Sequence, residues 1–218
     1  MPHPGCPLCQ GRDTDLYHAD QQREYWQCRR CALIFVPPAQ RLDAAAEKAE
    51  YDRHENDPDE PGYRHFLSRL AEPLKMRLAP GSRGLDFGCG PGPALAAMLE
   101  EAGHDVALYD PFYANRPDVL QGSYQFITCT EVIEHLYHPA REIPRLVGML
   151  ASGGWLGVMT KQVIDRARFA GWHYTRDPTH VCFYSRPTFR WIGQRWGLEP
   201  LFVGPDVVLL QKSGRPAD

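Results

Sequence analysis

Tyr63, Phe66, Leu67, Leu70, Leu74 and Leu78 recur three and four positions apart, the spacing that gathers apolar side chains on one face of an α-helix. A core begins there. Downstream, short apolar runs alternate with helical stretches: "GLDFGCG", "ALAAMLEEAG", "DVALYD", "QFITCTEV", "REIPRLVGMLASGG" and "WLGVMT" follow one another. This alternation predicts β-α-β units and a doubly wound, mostly parallel sheet with helices on both faces, an α/β fold. The end of the chain changes style. "HVCFYS", a helix from about Pro187 to Trp196, then "LEPLFVG" and "VVLLQK" joined at Gly204-Pro205 predict an antiparallel edge. Residues 39–60 are polar and acidic, with one Ala-rich stretch, and predict a linker or lid. Three parts result: 1–38, 39–60 and 61–218.

The first part has few large apolar residues and carries four cysteines. Cys6-x2-Cys9 and Cys28-x2-Cys31 lie eighteen residues apart, as in two knuckles that share one tetrahedral Zn²⁺. Four thiolates close the coordination shell, so the predicted role of this zinc-ribbon module is structural. Buried or disulfide-bonded cysteines are the alternative. The total of seven cysteines is odd, and Cys89, Cys129 and Cys182 lie in apolar segments, which is unlike a disulfide framework.

Composition narrows the partners. With 218 residues, 43% hydrophobic and 23% charged, the chain can bury a two-sided core and carry a small module. No apolar run approaches the roughly 20 residues of a membrane span, and the opening "MPHPGCPLC" lacks a signal-peptide pattern, so a cytoplasmic protein without a membrane partner is expected. A net charge of −3, and five arginines against four carboxylates in residues 1–41, lower the expectation of a nucleic-acid partner without removing it. Nothing in the sequence specifies an oligomeric state.

"LDFGCGPG" places Asp86, Gly88, Gly90 and Gly92 after a strand and before a helix. Glycine there permits a sharp turn and close approach of a ligand, and Pro93 suits the first helical position. Asp110, in "VALYDPF", lies twenty residues beyond Gly90 at the end of the next strand, where a carboxylate accepts hydrogen bonds from ribose hydroxyls. A ribose-bearing cofactor is expected. A dinucleotide loop reads G-x-G-x-x-G around a pyrophosphate, whereas Asp86 would repel phosphate and suits a cationic ligand.

At these residues, together with "YDPF", "TCTEVIEHLYHP" and "LASGGWLGVMT", the chain resembles the class I S-adenosylmethionine-dependent methyltransferases over about residues 61–211. The resemblance implies a seven-stranded sheet with a reversed last hairpin. It also implies S-adenosylmethionine held by Asp86, Gly88 and Gly90, with Asp110 on the ribose and Cys89, Pro111, Thr130 and Glu131 beside it. The chain departs from the family after Asp110, where too few residues precede Tyr124 for a full helix and a third strand.

On the acceptor side, His135 in "EVIEH" is a candidate for positioning substrate, with stiffening of a helix start as the plainer reading. In "GWHYTRDPTHVCFYS", His173, Asp177, His180 and Tyr184 follow the fifth strand. His180, His135 and Tyr184 are the catalytic candidates, His173 and Asp177 substrate candidates, and histidine has the intrinsic pKa for proton transfer. A turn capped by Asp177 is the alternative. Tyr51, His54 and Tyr63 are candidate lid residues. Metal binding by His135, His138, His173 and His180 is a weaker reading, since no two have a firm ligand spacing. The expected activity is methyl transfer to an oxygen or carbon of a small-molecule acceptor. Two alternatives remain: an RNA methyltransferase, since ribbons also precede this fold there, and a non-catalytic scaffold that keeps the fold.

Overall fold

The computed structural model describes residues 3–53 and 57–214, and His54 lies outside them. The chain opens with a hairpin of β1 (Thr14–Ala19) and β2 (Glu24–Cys28), followed by β3 (Ile34–Phe35). Helices α1 (Ala44–Tyr51) and α2 (Pro61–Lys75) come next. Then β4 (Arg83–Phe87), α3 (Ala94–Glu101), β5 (Asp105–Tyr109) and β6 (Tyr124–Thr130) alternate as the apolar pattern predicts. The chain continues through α4 (Pro139–Met149), β7 (Leu150–Met159), α5 (Arg166–Phe169), β8 (Cys182–Phe183) and α6 (Arg186–Trp196). It closes with the hairpin β9 (Leu198–Phe202) and β10 (Val207–Lys212).

The main sheet runs β5-β4-β6-β7-β10-β9. The first four strands are parallel, and β10 is antiparallel to both β7 and β9. It has six strands, not the expected seven. Residues between Asp110 and Tyr124 form a bridge from Asp110 to Ala114 and a 3-10 turn at Pro117–Gln121. That span is too short for a helix and a further strand. The α2 stripe is as predicted, with Leu67, Leu70 and Leu74 fully buried beside Phe126 and Leu209.

The N-terminal segment does not stand apart. β8 pairs antiparallel with β3, Ile34 opposite Phe183 and Phe35 opposite Cys182, giving a second sheet ordered β1-β2-β3-β8. Val36 N–H donates to Val181 O at 2.9 Å, and Val181 N–H to Glu134 O at 2.9 Å. One hydrophobic core runs from Cys6, Leu8 and Tyr25 to Phe189 and Val208. Burial on both sides of this junction couples the N-terminal sheet to the main sheet, because neither face can be exposed alone without hydrating apolar surface.

Phe183 sits at the junction, 1% exposed, with its ring 5.6 Å from Tyr25 and 5.4 Å from Phe169. Phe183→Ala is expected to cost about 3–5 kcal/mol. Urea unfolding followed by both tryptophan fluorescence and far-ultraviolet dichroism should show one shared transition at lower urea. Early release of the N-terminal segment alone would contradict the shared core.

Candidate active site

The carboxyl ends of β4, β5 and β6 surround a cavity of 620 Å³. After β4 the chain turns through Gly88 (φ +78°) and Gly90 (φ +64°). A side chain at Gly88 would meet Val132 Cγ2 at 2.4 Å, so both the backbone angle and the space require glycine. Gly88 N–H donates to Tyr109 O at 2.7 Å, which ties the turn to the end of β5.

Asp110 follows β5 and is 7% exposed. Its Oδ1 accepts from the N–H groups of Phe112 (2.8 Å) and Tyr113 (3.1 Å), and its Oδ2 from Gly90 N–H at 3.1 Å. The carboxylate therefore shapes both loops, and each oxygen has further acceptor capacity toward the cavity. Asp86 lies beneath, buried, with Thr128 Oγ1–H donating to Oδ1 at 2.7 Å. Burial pushes its pKa up to about 6, the Thr128 bond opposing and Asp110 adding to the shift. A small recess beside Gly88 and Thr130 reaches it.

β6 ends at Thr130, and Glu131 adopts φ +51°, a strained angle for a residue with a Cβ, while its N–H donates to Met159 O at 2.8 Å. Thr130 Oγ1 and Glu131 Oε1 are buried without a hydrogen-bond partner among the described residues, and both residues line the cavity. Such orphaned polar atoms fit a polar ligand. The acids Asp86, Asp110 and Glu131 around the glycine turn fit a cation and oppose a pyrophosphate. The residues thus fit S-adenosylmethionine.

Behind Glu131, the Tyr174 hydroxyl lies 3.2 Å from Glu131 Oε2, 3.2 Å from Thr160 Oγ1 and in contact with Glu134 Oε1. One hydroxyl proton cannot serve two carboxylates. Burial raises Glu131 to about 7, and burial with the Glu131 charge raises Glu134 to about 8.

Across the cavity, His180 is 7% exposed and its Nδ1 lies 2.7 Å from Tyr174 O. Since a carbonyl only accepts, Nδ1 carries the proton there. Nε2 lies 3.6 Å from Asp177 Oδ2, and the His135 ring is 4.7 Å from that of His180. Asp177 Oδ1 accepts from Thr179 N–H at 2.8 Å and from its hydroxyl. Burial disfavours the Asp177 charge, but the Thr179 bonds and the His180 charge outweigh it and hold the carboxyl below its usual range.

α1 crosses the cavity. Asp43 caps it by accepting from Ala45 and Ala46 N–H, and Glu47 and Tyr51 face inward. Tyr51 O–H donates to Glu47 Oε1 at 2.9 Å, and its ring packs 5.3 Å from His135. Tyr113 O–H reaches Asp52 Oδ1 at 2.7 Å from the opposite wall.

The cavity therefore brings together Gly88, Cys89, Gly90, Asp110, Pro111, Thr130 and Glu131 on one side. Tyr51, Tyr63, His135, Asp177 and His180 line the rest. Two candidates are corrected. Tyr184 is fully buried, its hydroxyl donating to Ile133 O at 3.1 Å, because it belongs to the core beneath β8. His173 is exposed and its Nε2 lies 2.7 Å from Lys161 Nζ, away from the cavity. Tyr174, adjacent to it, was missed; it differs from a core tyrosine only through carboxylates forty and more positions away.

In the N-terminal sheet, Cys6 Sγ lies 3.5 Å from Cys31 Sγ and Cys9 Sγ 3.3 Å from Cys28 Sγ, with all four sulfurs within 4.8 Å of one another. Tetrahedral zinc with bonds of about 2.3 Å sets its sulfurs about 3.8 Å apart. The four-cysteine cluster fits that ion.

A glycine turn after the first strand of a doubly wound sheet, an acid after the second, and a polar cavity at their carboxyl ends define a class I S-adenosylmethionine-dependent methyltransferase. The family described as "Methyltransferase domain" matches residues 62–202, and the chain belongs to it. No curated protein matches the sequence. Among solved structures, the chain is similar to 1,6-didemethyltoxoflavin-N1-methyltransferase of Burkholderia thailandensis, bound to 1,6-didemethyltoxoflavin and S-adenosylhomocysteine. The TM-score is 0.52 and the identity 15%, over 92% of this chain and 99% of that one. It is also similar to an O-methyltransferase family protein of Burkholderia thailandensis, at TM-score 0.50 and 14% identity, over 79% of this chain and 61% of that one. At these identities the likeness establishes the fold. No helix among the described residues is long and apolar enough to cross a membrane.

The raised carboxyl groups set a pH dependence. A proton held by Glu131 and Glu134 in the folded chain stabilises it fully below their ordinary 4.5, and this contribution is lost as pH rises through about 7 and about 8. Thermal melts should therefore show a fall in midpoint between about pH 5 and about pH 8 that is shallower in Glu134→Gln. Parallel falls in variant and wild type would contradict the assignment.

Proposed function

We propose that this methyltransferase acts on a small-molecule acceptor at oxygen or carbon, bound between the glycine turn and the His180–Asp177 pair. One observation carries this reading: a histidine with its Nδ1 proton committed to a backbone carbonyl and a carboxylate facing Nε2, on the wall of the same cavity as Gly88 and Asp110. That arrangement supports a proton-transfer group. Beside Asp177 the ring favours its charged form, and only in the neutral ring does Nε2 take the acceptor's proton, with Asp177 Oδ2 stabilising the imidazolium. His135 and Tyr51 orient the acceptor.

S-adenosylmethionine, when bound, supplies an electrophilic methyl group. Asp110 and Gly90 hold its ribose side and Gly88, Thr130 and Glu131 its amino-acid side, with Asp86 favouring the cation through the recess. α1, whose Glu47 and Tyr51 line the cavity, serves as a lid that excludes water from the transfer. The 1,6-didemethyltoxoflavin bound in the similar Burkholderia thailandensis enzyme supports a small acceptor. The acidic floor disfavours RNA, whose phosphates need a basic cleft. Zinc in the four-cysteine cluster holds the N-terminal sheet together and takes no part in chemistry.

Calorimetry with S-adenosylhomocysteine should give binding near one per chain, weakened at least about tenfold in Asp110→Ala, or about 1.4 kcal/mol. His180→Ala should keep that affinity and lose turnover. Wild-type protein that binds no S-adenosylhomocysteine would overturn the cofactor assignment. Full turnover in a folded His180→Ala variant would overturn the base.

Elemental analysis should find about one zinc per chain, lost in Cys28→Ser. A folded, metal-free wild-type chain would refute that site.

A further inference from the structure

Arg23 lies in the turn of the N-terminal hairpin yet is only 7% exposed. Asp20 fixes the turn: its Oδ1 accepts from Gln22 N–H at 2.7 Å and Arg23 N–H at 2.8 Å, and Tyr25 O–H donates to its Oδ2 at 2.8 Å. The guanidinium thereby points at a segment more than 150 positions away. Its Nη1 donates to Pro178 O and His180 O, both at 3.0 Å, and its Nη2 to Asp177 O at 2.9 Å and Thr175 O at 2.5 Å. Four carbonyls that would otherwise repel one another converge on a single cation. The planar fork of arginine, with donors in fixed directions, can satisfy them together; lysine cannot.

Among the four are the carbonyls of Asp177 and His180, the two members of the proposed base pair. The segment has no strand or α-helix of its own from Asp177 to Val181. Its geometry is set within the segment by Asp177 on Thr179, and from outside by Tyr174 O on the His180 ring and Arg23 on the backbone.

We propose that Arg23 is a positioning residue for the acceptor side of the site, through which the N-terminal sheet sets the geometry of His180 and Asp177. The proposal rests on the reading of His180 given above. It adds that the ribbon is a working part of the site rather than an appended module. The glycine turn and Asp110 on the cofactor side are bonded to one another and not to Arg23.

The test uses full-length protein with ¹⁵N-labelled histidine, the His180 ring signals being those lost in His180→Ala. In Arg23→Gln, with S-adenosylhomocysteine affinity within about twofold of wild type, the His180 signals should shift and broaden. Arg23→Lys should leave them displaced, and added guanidinium ion should return those of Arg23→Gln toward wild type. Unchanged His180 signals in folded Arg23→Gln would overturn the proposal. If Arg23→Gln does not fold, Arg23→Lys carries the test: displaced signals support the proposal and wild-type signals overturn it. These spectra report geometry only. Displaced signals alongside a fully active His180→Ala would sink the base and leave the positioning role standing.

Discussion

One buried guanidinium holds together two parts of the chain that are distant in sequence. Arg23 donates to four carbonyls between Thr175 and His180, and hydrogen bonds to a charged group contribute about 1.5–3 kcal/mol each before the cost of burying the charge. That cost is met only if the carbonyls converge as they do. The pairing of β3 with β8 and the aromatic cluster around Phe183 bring the hairpin close enough for this contact. The N-terminal sheet and the segment that carries Asp177 and His180 are thus held as a unit.

The cofactor wall carries its own strain. Gly88 cannot accept a side chain beside Val132, and Glu131 takes a left-handed angle at the end of β6. Asp86 and Glu134 are buried and Glu131 is half-buried, with pKa values lifted to about 6, about 8 and about 7 respectively. A chain selected only for stability would not collect carboxylates at one sheet edge without matching cations. The proposed cationic cosubstrate would give Asp86 and Glu131, which line the cavity and its recess, such a partner.

Much of this was legible from local patterns. The apolar period of α2, the alternation through β4 to β7 and the reversed β9–β10 hairpin follow from side-chain spacing, as do the glycine turn and Asp110. The sheet stops at β5 on one edge because residues 110–123 are too few for a further strand, so the family's seven failed on chain length. What escaped were long-range relations. "HVCFYS" reads as a strand, but its partner is β3 in the ribbon, and Tyr184 consequently faces the core. Arg23 counted as one of five arginines because its meaning lies in carbonyls that only the fold assembles. Tyr174 was hidden for the same reason, and His173 was overvalued because proximity in sequence does not determine which side of a turn faces the cavity.

On the proposed reading, methyl donor and base face each other across one cavity, between the carboxyl ends of β4 to β6 and the loop that precedes β8. A crystal structure with S-adenosylhomocysteine bound tests it most directly. The account predicts the ribose on Asp110, the sulfur turned toward the wall formed by His180 and Asp177, and an open acceptor space between them. A product whose sulfur faces away from His180, or that sits outside the glycine turn, would contradict it.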